Sequence, residues 1–429
     1  MSMFRQVRGQ LHAEQVPVEK IARKVGTPFY LYSQTAIVNQ LTALQSAFAP
    51  IRPLICYSVK ANGNLAILKT LVRRGAGLDI VSGGELFRAR RAGCPPQRIV
   101  FAGVGKSPEE IRSALKARIF CFNVESIPEL EAIEREAERL KQRAPVALRV
   151  NPNIKADTHH YITTGTAENK FGIPLADAEK LILSGSWGQF HRIDLKGFHL
   201  HIGSQITQTA PFVAAVERIA PMIERLRGRG VLIDWLNLGG GLGITYQSEA
   251  PLNPRILAGK LIPVLKRLNV RLIFEPGRFL LGNAGILVTR ILYVKETRTK
   301  RFAIVDAGMN DLIRPALYGA HHGIVPVRPA LPAGQAGKSG AGARKLRYDV
   351  VGPVCESGDF FAKDRRLPKL AAGDLLAVLS VGAYGFTMAS HYNARPNPPE
   401  VLVKGKRMAV IRKRERPADL IRGEQIPRL

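Results

Sequence analysis

The sequence predicts an α/β protein: a (β/α)8 TIM barrel with a second, mainly β domain of Greek-key-like character. Three observations carry that expectation. Eight short apolar runs, at 54–59, 78–81, 98–102, 119–124, 146–151, 196–202, 235–238 and 271–275, alternate with polar loops and longer segments. The longer segments carry apolar residues at helical spacing, as at 127–143 and 210–227. The stretches 285–294, 301–307, 375–381 and 401–411 are rich in β-branched and aromatic residues separated by turns. Eight strands alternating with helices suit a closed parallel barrel, in which chemistry gathers at the C-terminal strand ends. An open doubly wound sheet would need a nucleotide fingerprint.

That fingerprint is missing. Gly103-Val104-Gly105-Lys106-Ser107 resembles part of a phosphate loop, but Val100 stands where its first glycine belongs, and Pro332 spoils Gly337-Lys338-Ser339 in the same way. Gly239-Gly240-Gly241-Leu242-Gly243 follows an apolar strand and gives backbone N–H groups close access to an anion, or is simply a flexible strand-to-helix turn. The barrel is assigned to residues 35–284. The β domain is assigned to 285–429, completed by 1–34, where Pro28-Phe29-Tyr30-Leu31-Tyr32 is strand-like. Residues 328–347, rich in Ala, Gly and Pro, read as a mobile loop insertion without chemistry.

Composition narrows the function classes. With 429 residues and 46% hydrophobic composition, the chain can bury a full core and exceeds one ordinary small domain. Its start has no secretory pattern and no apolar stretch is long enough to cross a bilayer, so a soluble, cytoplasmic protein without a membrane partner is expected. Cys56, Cys94, Cys121 and Cys355 lie far apart without CxxC spacing, which argues against a disulfide scaffold or a metal site. The net charge of +29 comes from 63 basic residues spread along the chain. The densest run, Lys404 to Arg407 and Arg412 to Arg416, has little aromatic character, so it reads as a solvated basic tail and identifies no specific nucleic acid.

The strand ends supply the candidate chemistry. Lys60 closes the first apolar run, where partial desolvation favours the neutral amine that forms a Schiff base; a surface lysine lying over apolar neighbours is the plainer reading. Asp79 with Ser82, His199 and His201 with Ser204, the Gly239 to Gly241 turn, and Glu275 with Arg278 stand at later strand ends. Taken singly, Asp79 could cap a helix, His201 could be a core histidine and Glu275 could pair with Arg278. Converging in a closed barrel, a lysine nucleophile, a flat imidazole, a phosphate nest and a carboxylate would hold an aromatic aldehyde cofactor that carries a phosphate.

Six stretches give the pattern a family. Tyr57-Ser58-Val59-Lys60-Ala61-Asn62, the run from His199 to Gln205, Glu275-Pro276-Gly277-Arg278, the run from Arg314 to Tyr318, the run from Cys355 to Asp359, and Gly382-Ala383-Tyr384 span nearly the whole chain. Together they resemble the pyridoxal-phosphate-dependent decarboxylases of fold type III, the alanine-racemase-like group. The Arg314 to Tyr318 run and Glu356 after Cys355 resemble the diaminopimelate branch, since ornithine decarboxylases typically carry Asp after that cysteine.

The resemblance implies pyridoxal 5'-phosphate as cofactor and makes Lys60 its covalent lysine, Glu275 the partner of its ring nitrogen and His201 the residue stacked on its ring. It implies Asp79 among the cofactor-binding residues. Ser204, Gly239, Gly240, Gly241, Gly277, Arg278 and Tyr384 would hold the phosphate. Arg278, Arg314 and Tyr318, with Tyr384, would meet the substrate, the arginines suiting a carboxylate in fork geometry. Cys355 as proton donor and Glu356 as partner of the distal amine would enter from a second subunit, giving a homodimer with shared active sites. The implied reaction is decarboxylation of the D-centre of meso-2,6-diaminopimelate to L-lysine and CO2, the last step of lysine biosynthesis.

Three other readings remain at this point: a decarboxylase of a carboxylated polyamine precursor or basic amino acid, a racemase on the same barrel, and a non-enzymatic pyridoxal-phosphate-binding barrel protein. Two arginines facing ornithine would lack a carboxylate partner, the motifs around Cys355 belong to the decarboxylase branch, and the non-enzymatic proteins resemble the barrel alone.

Overall fold

The computed structural model describes residues 3–154, 170–328 and 345–428. The chain forms two compact units, one of Val38–Thr245 and Glu249–Leu280, the other of Met1–Ile37, Tyr246–Ser248 and Leu281–Leu429.

Among the described residues the first unit's barrel is built of eight parallel strands, β1 (Leu54–Ser58), β2 (Gly77–Ile80), β3 (Ile99–Phe101), β4 (Cys121–Val124), β5 (Ala144–Asn151), β6 (Ile193–His199), β7 (Trp235–Asn237) and β8 (Arg271–Phe274), with a two-residue strand, Ile173–Pro174, pairing on β5. Each pairs with the next, and β8 pairs with β1 through Ile273 opposite Leu54, so the barrel closes. The polar loops between the runs earn their helices by capping. Ser82, Ser107 and Ser126 accept from the backbone N–H three residues on, at the starts of helices Gly83–Arg91, Pro108–Ala117 and Ile127–Leu140. The cap at Ser82 disposes of a capping role for Asp79. The helix expected over 127–143 stops at Leu140 because Lys141 turns into the left-handed region with φ 52°.

Register through the closed sheet sorts the strand residues. Cys56 lies opposite Gly77, Ser58 opposite Asp79, Asp79 opposite Val100, and Val100 opposite Cys121. Asn123 lies opposite Ala147, Arg149 opposite His199, and His199 opposite Asn237. Side chains two apart share a face, so these residues all belong to the inward set. Its lower layer is a small apolar core of Cys56, Val100, Cys121, Ala147 and Ile273. Two residues further along, towards the C-terminal end, the inward set becomes polar on every strand except β3, where Ala102 follows Val100: Ser58, Asp79, Asn123, Arg149, His199, Asn237 and, just past β8, Glu275.

The second unit is mainly β. Its long strand Gly285–Glu296 pairs antiparallel with Arg301–Val305, Leu375–Val378 and Phe29–Ser33. Phe29–Ser33 also pairs parallel with Glu400–Lys404, so the N-terminal segment lies inside the sheet. Leu346–Val351 and Phe360–Leu367 extend it on the Arg301–Val305 side. A separate three-stranded sheet, Phe4–Val7, Gln10–Ala13 and Val16–Pro17, contributes Phe4, Leu11, Ala13 and Val16 to the same core as Ile286, Val288 and Val401.

Two expectations change. The stretch 401–411 is a hairpin of Glu400–Lys404 and Arg407–Arg412, turned at Gly405 with φ 57°. The basic run is therefore part of an ordered hairpin and not a tail, with Arg412 Nε bonding Glu400 at 2.7 Å and Arg414 donating to the Pro28 carbonyl at 2.8 Å, while Lys404, Lys406, Arg407 and Lys413 stay exposed to solvent as expected. Most of the 328–347 insertion, residues 329–344, lies outside the described residues.

Glu14 ties the N-terminal sheet to its unit. Its buried carboxylate accepts from Ser33 Oγ at 2.7 Å, Thr35 N at 3.0 Å, Thr35 Oγ1 at 2.8 Å, and from Gly405 N. Glu14→Ala strands several buried donors and should cost about 2–4 kcal/mol, read as a lowered urea midpoint with an unchanged slope. An unchanged midpoint would contradict this role.

Candidate active site

The polar ring at the C-terminal end of the barrel converges on Glu275, the residue that follows β8. Glu275 is 4% exposed. Its Oε1 accepts from Asn123 Nδ2 at 2.7 Å and from Asn237 Nδ2 at 2.6 Å. Its Oε2 faces His199 Nε2 at 3.1 Å, a polar approach without hydrogen-bond alignment. Burial alone would raise this carboxyl, but the His199 ring and the hydrogen bonds outweigh it and hold Glu275 well below the usual carboxylate range. Glu275 does not pair with Arg278.

Asp79 behaves in the opposite way. Burial, then the neighbouring Glu275 charge, push it up to about 8 against the pull of Lys60 and Ser58. Two carboxylates in one low-dielectric ring do not both ionise freely, and the asparagines decide which one does. Ser58 Oγ stands 2.8 Å from both Asp79 Oδ2 and the Glu275 carbonyl, so it bridges the two. Lys60, in a short turn just past β1, brings Nζ within 3.7 Å of Asp79 Oδ2 while its side chain stays 41% exposed. A lysine in that position is open to a ligand yet steered by a buried acid.

His201, two residues beyond β6, accepts the Gly240 N–H on Nδ1 at 3.1 Å, which places any single ring proton on Nε2. Burial, with Arg149 and Lys60 nearby, lowers its pKa well below the ordinary value, so the ring is neutral and flat-faced. The turn beside it needs glycine. Gly239 and Gly241 have φ of 64° and 91°, and a side chain at Gly240 would sit 2.4 Å from the Glu275 carbonyl. Gly239 N donates to Asn237 Oδ1 at 2.9 Å, so two of the three glycine amides are committed inside the protein. The third, that of Gly241, stands clear among the described residues. Ser204 Oγ accepts from Arg278 Nη2 at 3.1 Å, and Arg278 opens the short helix after Gly277.

Sequence reasoning missed Asn123, Asn237, Ser58 and Arg149. Arg149 is clamped by both Glu125 oxygens at 2.7 and 2.9 Å, and it supplies positive charge behind His201. Lys106, from the failed phosphate loop, is buried against Glu129 and the Gly103 and Asn123 carbonyls, so it is a structural ion.

The remaining candidates lie in the second unit. Arg314 is buried and Tyr318 half-buried at the two ends of the helix Arg314–Tyr318. Cys355 and Glu356 are exposed on a loop fixed from below by Asp359, whose oxygens accept from Met309 N and Val354 N at 2.7 Å each. Cys355 N donates to Asn393 Oδ1 at 2.9 Å. Tyr384 is half-buried with φ 58°.

Residues 34–282 match the family described as pyridoxal-dependent decarboxylase, pyridoxal binding domain, and the chain belongs to that family. It is similar over 99% of both chains to the diaminopimelate decarboxylase of Pseudomonas aeruginosa, at 48% identity. Among solved structures it is similar to diaminopimelate decarboxylase from Helicobacter pylori complexed with L-lysine, at 42% identity and TM-score 0.88 over 94% of this chain and 98% of that one. It is also similar to the enzyme from M. jannaschii in co-complex with L-lysine, at 37% identity and TM-score 0.90 over 98% and 96%.

The barrel residues fit pyridoxal phosphate: an accessible lysine, an ionised carboxylate for a ring nitrogen, a neutral imidazole, and a backbone amide with a hydroxyl and a guanidinium for an anion. The raised Asp79 makes a prediction for the cofactor-free protein. Its contribution to stability is full below about pH 4 and is lost as the pH climbs towards about 8, because the unfolded carboxyl ionises first. Asp79→Asn lacks that loss, so its melting temperature should gain on wild type between about pH 5 and about pH 8. An offset that is equal at both would mean that Asp79 ionises normally.

Proposed function

We propose that this protein decarboxylates meso-2,6-diaminopimelate to L-lysine and CO2 with pyridoxal 5'-phosphate, the last step of lysine biosynthesis. The observation that supports it most is the ionised Glu275 held in one inward ring with the steered Lys60, in a chain similar end to end to diaminopimelate decarboxylases. When bound, the cofactor supplies an electron-withdrawing ring that takes up the electron pair left as CO2 departs.

The chain's own residues make that ring effective. Glu275 would hold a proton on the ring nitrogen, for which an acid kept ionised is required. Lys60 would hold the aldehyde carbon, with Asp79 beside its amine. His201 would stack as a neutral ring, which neither repels nor competes for the proton at the nitrogen. Ser204, the Gly241 amide, the backbone at Gly277, Arg278 and Tyr384 take the phosphate, with Gly239 and Gly240 serving by shape. Arg278, Arg314 and Tyr318 receive the distal carboxylate, whose fork geometry favours arginine. Glu356 takes the distal amine and Cys355 returns a proton to the reacting carbon. These two residues act across a homodimer with shared sites, in the cytoplasm.

Purified holoenzyme should form lysine from meso-diaminopimelate and release no CO2 from ornithine, arginine or carboxynorspermidine; Lys60→Ala should abolish the reaction. CO2 from one of the other substrates, without lysine from diaminopimelate, would overturn the distal-site assignment. Sharing has its own test. Lys60→Ala and Cys355→Ala proteins, each inactive, should regain roughly a quarter of wild-type activity on mixing and random re-pairing of protomers. No recovery after confirmed exchange would place both residues of a site in one chain.

A further inference from the structure

An arginine that reads a carboxylate must have a fixed direction, and the short helix carrying Arg314 offers little rigidity: it has five residues and ends at Gly319 with φ 59°. Resting on the substrate reading proposed above, we infer that His322 is a positioning residue for Arg314. It acts as a neutral imidazole that accepts from the guanidinium, with Tyr246 as the second acceptor, and so sets the affinity for substrates that bear a second carboxylate.

The ring's two nitrogens prescribe its state. His322 is fully buried. Its Nδ1 lies 2.8 Å from the Leu379 carbonyl, which can only accept, so Nδ1 carries the proton. Its Nε2 lies 3.0 Å from Arg314 Nη1, which can only donate, so Nε2 is bare. One tautomer satisfies both contacts, and the imidazolium satisfies neither role at Nε2.

The frame behind the ring is itself tied. Leu379 N donates to the Gly323 carbonyl at 2.7 Å, just past the strand Leu375–Val378 and one residue from His322 in sequence. Tyr246 completes the setting. Its hydroxyl accepts from the same Arg314 Nη1 at 3.1 Å, its ring lies 5.2 Å from the guanidinium carbon, and it meets the His322 ring at 89° with centroids 5.4 Å apart. Neutral acceptors aim a guanidinium without cancelling its charge, whereas a carboxylate in the same place would compete with the ligand's own.

The test separates the acceptor from the shape of the ring. In holoenzyme, His322→Asn keeps a donor near Leu379 but loses the acceptor at the Nε2 position, and His322→Gln restores an acceptor there. His322→Asn should raise both the KM for meso-diaminopimelate and the dissociation constant of L-lysine, measured by calorimetry, about tenfold, with kcat within about twofold. His322→Gln should recover most of that loss. The inference is overturned if Asn matches wild type, if Gln is as poor as Asn, or if kcat falls while KM and lysine affinity stand still. Should the Asn variant not fold, Tyr246→Phe decides: a weakened lysine affinity at unchanged kcat supports the inference, and no change overturns it. Wild-type protein that neither turns over diaminopimelate nor binds L-lysine would overturn the substrate reading and this inference with it, whereas an active wild type with indifferent variants overturns this inference alone.

Discussion

A carboxylate kept ionised inside the mouth of the barrel is the constraint on which the rest of this site depends. Glu275 is buried, and a buried acid left to itself takes up a proton. It stays charged because Asn123, Asn237 and His199 surround its two oxygens. Those three residues come from β4, β7 and β6, far apart in the chain, and only closure of the sheet brings them to one point. The backbone of Glu275 is tied as well, its N–H to the Gly239 carbonyl and its C=O to the Ser58 hydroxyl. The turn that needs three glycines and the strand that leads into Lys60 are thus joined to the same residue.

That arrangement divides two similar side chains into two roles. Asp79 lies in the same ring but lacks the amide donors, and the charge on Glu275 pushes it further towards the protonated form. Lys60 therefore meets an acid that can hold a proton, while Glu275 keeps none. One layer down, the inward side chains are small and apolar, which seals the polar ring from below and keeps the dielectric low where the difference between the two acids is made.

Much of this was legible in the strands and little of it in their neighbours. Lys60, Asp79, His201 and Glu275 stand at the ends of apolar runs, and a closed barrel puts every such end on one face. Asn123 and Asn237 are each a lone polar residue within a short apolar run, and such a residue reads the same whether it faces a helix or the barrel interior. Register accumulated around eight strands settles that, and register is not local information. In the second unit, Phe4–Val7 escaped notice because three of its four residues are exposed, and Phe360–Leu367 because Lys363-Asp364-Arg365-Arg366 breaks its apolar pattern. The hairpin of Glu400–Lys404 and Arg407–Arg412 read as one strand because its turn of Gly405 and Lys406 is short enough to pass for a continuation.

The two units also differ in what they ask of their backbones. Residues assigned to the cofactor come mostly from strand ends, where neighbouring strands fix position on both sides and a shift in one would shift the register of the ring. Apart from Arg278, residues assigned to the substrate come from a five-residue helix and from loops, each held by a few specific bonds: Asp359 under the Cys355 loop, Asn393 on the Cys355 amide, His322 and Tyr246 on Arg314. Such supports can be exchanged one at a time without disturbing a sheet. On the proposed assignment, the reaction class is set by the part of the molecule least able to change, and the choice of substrate by side chains whose replacement costs one or two hydrogen bonds. On the roles proposed above, a chain that kept the Glu275 ring and altered only the supports of Arg314 would remain a decarboxylase and would lose its preference for a second carboxylate before it lost its chemistry.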